Sequence, residues 1–118
     1  MGYFLYLNSC STCKRILEDL SLPNEIALID IKKETLTTTQ LEELYQFTGS
    51  YETLFNKRAQ LLKQRNIDSQ NLTESSAKDL LLDHYTFLKR PILVYREKIF
   101  VGNSKAEVAA AKKWLNEH

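Results

Sequence analysis

The feature that most restricts this chain lies near its N-terminus, where an apolar run, Tyr3-Phe4-Leu5-Tyr6-Leu7, leads through Asn8-Ser9 into Cys10-Ser11-Thr12-Cys13-Lys14-Arg15. The run reads as a buried strand, and Ile16, Leu17 and Leu20 behind it supply the apolar stripe of a helix. Both cysteines of the chain fall in this Cys-x-x-Cys. They sit where a strand turns into a helix, with Cys10 near the N-cap and Cys13 one turn in. Unpaired backbone N–H groups and the positive end of the helix dipole then face Cys10. In favourable Cys-x-x-Cys sites such surroundings lower a thiol pKa from roughly 8.5 toward about 3.5–7.5. Lys14 and Arg15 add positive potential.

After a break at Leu22-Pro23-Asn24, the segment Glu25–Ile31 reads as a second strand. Strand, helix and strand in so short a span form a βαβ unit, whose strands are parallel. Lys32–Thr35 is polar and looped. Thr37 or Thr38 caps a further helix with Leu41, Leu44, Tyr45 and Phe47 on one face and a stop at Gly49. The pattern predicts a helix again from Tyr51 to Gln64, which with Arg65 carries the most basic stretch of the chain, then a polar turn over Asn66–Asn71. Thr73-Glu74-Ser75-Ser76 caps a helix running through Tyr85 to near Phe87. Leu88-Lys89-Arg90-Pro91 enters a strand, Ile92–Tyr95. Arg96-Glu97-Lys98 forms a turn, and Ile99–Val101 returns as an antiparallel neighbour. Gly102-Asn103-Ser104 breaks the pattern and caps a last helix whose apolar content runs from Ala106 to Leu115, and the tyrosines and Trp114 serve the core and its margins.

The order βα-β-ααα-ββ-α predicts an α/β, thioredoxin-like fold. Its four-stranded mixed sheet combines a parallel βαβ unit with an antiparallel hairpin, and a helical insertion lies between them. A single domain over residues 1–118 is expected. With 43% hydrophobic and 26% charged residues and a formal net charge of +1, nothing global favours nucleic acid or a membrane surface. The N-terminal apolar run is too short to span a membrane and lacks the flank and cleavage site of a signal peptide. A cytoplasmic protein, expected as a monomer, is the consequence. In a reducing compartment, two close cysteines point to catalysis, redox sensing or metal binding ahead of a structural bridge.

At these residues the chain resembles the arsenate reductase (ArsC-type) family, which includes Spx-type regulators. The resemblance covers nearly the whole chain. It rests on Cys10–Arg15, the basic segment around Arg58, the Leu88-Lys89-Arg90-Pro91-Ile92 motif, and Val101-Gly102 before the last helix. It implies Cys10 as the nucleophile, Arg58 and Arg90 as two of three arginines that hold the oxyanion, and Pro91 as a cis proline opposite the Cys-x-x-Cys. The third arginine would stand just after the return strand, where this chain has Val101-Gly102-Asn103. Cys13 is a further departure from arsenate-reducing members and is shared with Spx-type regulators. Asn8 stands where proline is frequent.

Thiolate attack on an oxyanion needs a cationic cradle. The helix N-terminus supplies N–H donors, the Ser11 and Thr12 hydroxyls can add two more, and guanidinium forks suit tetrahedral anions. One missing charged contact removes roughly 1.5–3 kcal/mol. Dithiol exchange needs only a low-pKa Cys10 and a resolving Cys13. The reading is therefore a thiol-dependent oxidoreductase with no bound cofactor or metal. Its electrons come from glutathione, glutaredoxin or thioredoxin, and weak arsenate reduction is an additional activity. The alternative implied by the resemblance is a redox-responsive regulator that contacts RNA polymerase. Blander readings stand beside these. Cys10 and Cys13 can be two buried thiols or half of a zinc site, although His84 and His118 show no ligand spacing with them. His84 is expected as a partly exposed helix residue and His118 as a frayed terminus. Ser11 and Thr12 can cap the helix with their side chains, and Arg58 can be an ordinary solvated residue.

Overall fold

The computed structural model describes residues 2–117, so His118 lies outside the described residues. The chain divides into two compact units, one of Met1–Glu34 with Arg90–His118 and the other of Thr35–Lys89.

The first unit holds a four-stranded sheet. Strand β1 (Gly2–Tyr6) leads to helix α1 (Ser11–Leu20) and strand β2 (Ile26–Asp30), and the chain later returns as β3 (Ile92–Tyr95), β4 (Lys98–Val101) and α5 (Lys105–Glu117). The strand order is β2-β1-β3-β4. β1 pairs parallel with β2, Phe4 lying opposite Leu28, and antiparallel with β3, Phe4 lying opposite Leu93. β3 and β4 form the antiparallel hairpin. This is the thioredoxin-like mixed sheet expected from the sequence. Its turn is tighter than expected, because Lys98 already pairs with Tyr95 and only Arg96 and Glu97 remain in the loop. Such two-residue loops call for positive φ, and Arg96 supplies it at 56°.

Apolar periodicity builds the core of this unit. Ile16 and Leu20 of α1, Ala111 of α5 and Phe4, Ile26, Leu93, Tyr95 and Phe100 of the sheet form one buried cluster, with Val108, Trp114 and Leu115 packed against it. α1 and α5 thus share a face of the sheet, and Lys112 of α5 pairs with Asp19 of α1 at 3.0 Å. Trp114 meets the ring of Tyr95 edge-on at 5.8 Å. Gly2 sits where β1 runs closest to β3, and a Cβ there would collide with the Val94 carbonyl oxygen.

The second unit is helical: α2 (Thr38–Thr48), α3 (Gln60–Gln64) and α4 (Glu74–Asp83), with short 3-10 turns at Glu52–Leu54, Ser69–Asn71 and Tyr85–Phe87. Thr37 and Gln40 form a capping box on α2, which ends at Gly49 with φ 70°. Thr73 and Ser76 cap α4 in the same way. The continuous helix expected over Tyr51–Gln64 is not formed. The Glu74 carboxylate accepts the N–H groups of Tyr51 and Glu52 at 2.8 and 3.1 Å and holds a 3-10 turn there. Phe55 is extended and bridges to Leu88, while Asn56 N–H donates to Phe87 O at 2.7 Å. The basic residues are accordingly dispersed. Lys57 pairs with Glu52, Arg65 pairs with Asp83 and lies over the Phe87 ring, and Lys63 stays on α3. The helix expected to run to near Phe87 stops at Asp83. His84 leaves helical geometry, and its Nδ1 accepts the Thr86 N–H, so it caps the following turn rather than lying within a helix.

Candidate functional site

β1 carries the chain to Leu7, whose backbone frames the site. The Leu7 carbonyl accepts the Cys10 N–H at 2.9 Å and closes the turn through Asn8-Ser9. Cys10 is itself the N-cap of α1, in extended geometry, and its carbonyl accepts the first helical N–H, from Lys14, at 3.1 Å. Ser11 and Thr12 are the first two helical residues, Ser11 exposed and Thr12 half-buried. The cap position belongs to Cys10, as the spacing of the motif predicts, and the alternative that Ser11 or Thr12 caps the helix is not what forms. The N–H groups of Thr12 and Cys13 are left to favour the ionised form of the Cys10 thiol.

The two thiols differ in environment. Both are free, Cys10 half-buried and Cys13 buried at 1% exposure. Partial burial pushes the Cys10 thiol up, but hydrogen bonds from the Cys13 backbone, the Cys13 thiol and the Thr12 backbone, with the charge of Arg90, outweigh it and leave Cys10 below its ordinary 9.0. Burial pushes Cys13 up to about 11. A backbone hydrogen bond from Leu7 opposes that rise, and the neighbouring Cys10 reinforces it. The pair is therefore polarised. One thiol ionises readily at the helix terminus, and the other holds its proton and donates it toward the first.

Arg90 and Pro91 approach from the end of the chain. The Arg90 guanidinium lies near enough to both thiols to favour their ionised forms. Arg90 is half-buried, with its Nε atom enclosed. The Arg90–Pro91 peptide is cis, and the Pro91 carbonyl accepts the Gly102 N–H at 2.9 Å. The first unit thus brings together Cys10, Ser11, Thr12, Cys13, Arg90 and Pro91. Arg58 belongs to the second unit, where it is exposed in the turn before α3 and its N–H donates to Asn56 Oδ1 at 3.1 Å.

Two participants had no signal in the sequence. Leu7 acts through its backbone, which any residue offers. Glu107, in the first turn of α5, accepts the Val101 N–H at 2.8 Å. The segment after the return strand, which carries no arginine, is thus tied down by a carboxylate. Among the described residues no three His, Cys, Asp or Glu side chains converge to hold a metal ion, and no helix is long and apolar enough to cross a membrane.

The chain is 25% identical over 112 residues to the regulatory protein MgsR of Bacillus subtilis, covering 93% of this chain and 89% of the relative. It is 27% identical over 107 residues to the global transcriptional regulator Spx 2 of Lactococcus lactis, covering 86% and 79%. Its fold matches the solution structure of an arsenate reductase (ArsC) related protein from Brucella melitensis with a TM-score of 0.68, 26% identity and 92% of each chain covered. The model of the ArsC family matches residues 5–111. With its sheet, its N-terminal thiol pair and this match over nearly its whole length, the chain belongs to the ArsC family.

Proposed function

We propose that this protein is an ArsC-like thiol–disulfide oxidoreductase in which Cys10 is the nucleophile and Cys13 the resolving thiol. The polarised pair carries this reading: a lowered Cys10 at the start of α1 beside a buried Cys13 raised to about 11. The Cys10 thiolate attacks one sulfur of a partner disulfide, a mixed disulfide forms, and the departing thiolate takes up a proton. Cys13 then loses its proton and attacks the Cys10 sulfur. The Cys10–Cys13 disulfide forms, the second partner thiol leaves, and two electrons have passed to the partner. Glutathione, glutaredoxin or thioredoxin returns the protein to the dithiol by the reverse exchange.

Ser11, Thr12 and Arg90 serve as anion contacts for a charged partner or for an oxyanion. Arsenate turnover is the lesser activity, because no arginine stands at Val101-Gly102-Asn103 to supply a third cationic contact. Assays with a disulfide substrate and with arsenate, each with glutathione and glutaredoxin, separate the two. The expected result is reversible formation of the internal disulfide, its loss in Cys10→Ser, and a trapped mixed disulfide in Cys13→Ser. Arsenate turnover that vanishes in Cys10→Ser and survives Cys13→Ser would instead make the protein an arsenate reductase.

A second reading is supported by the relatives named as regulators, MgsR and Spx. In it the same thiol pair reports oxidation, and the protein acts by binding RNA polymerase. Retention by immobilised polymerase in one redox state and not the other supports this reading, and equal absence in both removes it.

A further inference from the structure

The sheet ends on β2, which pairs with β1 on one side and, among the described residues, with no strand on the other. Natural sheets shield such an edge with charges, proline or a bulge. β2 reads Ile26-Ala27-Leu28-Ile29-Asp30, with no proline and no charge before its last residue, and Leu28 is 50% exposed. A single exposed leucine is unremarkable by itself. The backbone of the edge makes it informative.

Ile31 donates its N–H to Tyr6 of β1. Backbone groups alternate along a strand, so Ala27 and Ile29 also face β1, whereas Ile26, Leu28 and Asp30 face outward. Two outward groups are already used. The Ile26 N–H donates to Pro23 O at 3.1 Å, and the Asp30 carbonyl accepts the N–H groups of Lys33 and Glu34 at 3.0 and 2.9 Å. Among the described residues, the groups left without a protein partner on this edge are the Ile26 carbonyl, both groups of Leu28 and the Asp30 N–H.

This remainder is self-complementary. A two-fold axis through Leu28 lets the two Leu28 residues exchange both hydrogen bonds. It also directs the Asp30 N–H of each copy to the Ile26 carbonyl of the other. The bonds that such pairing would next require, from the Ile26 N–H to the Asp30 carbonyl, are the ones the flanking turns already satisfy. The same axis brings the Glu25 end of one strand, where the carboxylate accepts the Tyr95 hydroxyl of its own chain, to the exposed Lys32-Lys33 end of the other, so the charges at both margins are opposite in sign. Asp30 lies opposite Ile26, and no like charges face each other. From this match we infer that a second copy of this chain docks on β2, in an antiparallel β2–β2 pairing centred on Leu28 that continues the sheet across the dimer. The interface is isologous and leaves no half of the pattern unpaired.

The test uses the full chain in reducing buffer, so that no intermolecular cysteine bridge contributes. Sedimentation velocity up to about 1 mM protein should show a monomer–dimer equilibrium. Leu28→Lys should weaken it by about 10- to 100-fold while leaving the circular dichroism spectrum unchanged. Residue-resolved hydrogen exchange should show the Leu28 and Asp30 amides gaining protection with concentration. A monomer throughout the range overturns the inference. So does a dimer in which those two amides remain unprotected, or one that persists in Leu28→Lys. If Leu28→Lys does not fold, Lys33→Glu is the second variant, and undiminished dimerisation in it counts against the pairing.

Discussion

At the scale of single residues, the site depends on a difference between two like side chains three positions apart in numbering and unlike in burial. An unfolded Cys13 ionises near the ordinary 9.0 and the folded one near about 11. Its buried neutral form therefore adds stability that is fully present below pH 9 and is lost as the pH rises toward 11, amounting to at most about 3 kcal/mol. Denaturant unfolding of wild type and Cys13→Ala between pH 8 and 11 checks this, and the wild type should lose stability more steeply. The sequence identified the thiols, Arg90 and Pro91 because their types recur in a motif. It could not identify Leu7 or Glu107, whose parts depend on a backbone trajectory and a capping geometry.

At the scale of elements, helix ends were legible wherever a residue type carries the signal, as at Thr37, Gly49 and Thr73. Interruptions imposed from elsewhere were not. Nothing local to Tyr51–Gln64 forbids a helix, and it is the carboxylate of Glu74, more than twenty residues on, that diverts the backbone. Hydrogen bonds led by that of the Tyr51 N–H hold the Glu74 carboxyl below its ordinary 4.5. Its contribution is thus present above that value and disappears as the pH falls through the lowered one. The melting temperature of Glu74→Ala should lie below that of wild type at neutral pH, and the gap should close in acid. At the other end of α1, Ser21 is held at φ 50° in the position that favours glycine. Ser21→Gly should stabilise the protein by about 0.5 kcal/mol, as relief of left-handed strain exceeds the added chain entropy. Thermal unfolding measures it.

At the scale of the whole molecule, the parallel pair and the hairpin were each readable from short stretches of pattern. Their joining was not, because the β1–β3 ladder links residues some ninety positions apart, Gly2 facing Tyr95. No periodicity reports such a pairing. The division into two units was equally hidden, since it follows contacts and not composition. The long-range seam should be sensitive to crowding. Gly2→Ala forces a methyl group against the Val94 carbonyl and should cost about 1–3 kcal/mol, measured by denaturant titration.

That seam also orders events in time. Arg90 follows Cys10 by 80 positions. At 5–20 residues per second, a ribosome makes the thiol pair roughly 4–16 s before the arginine that stabilises its charged form. During that interval the nascent chain carries the βαβ unit without the half of the sheet that completes its site. Cys13 cannot be enclosed as it is in the finished protein, and Cys10 lacks the cation that sharpens it. Newly made chains and finished ones are therefore chemically different thiols, and an oxidant present during synthesis meets the less selective of the two.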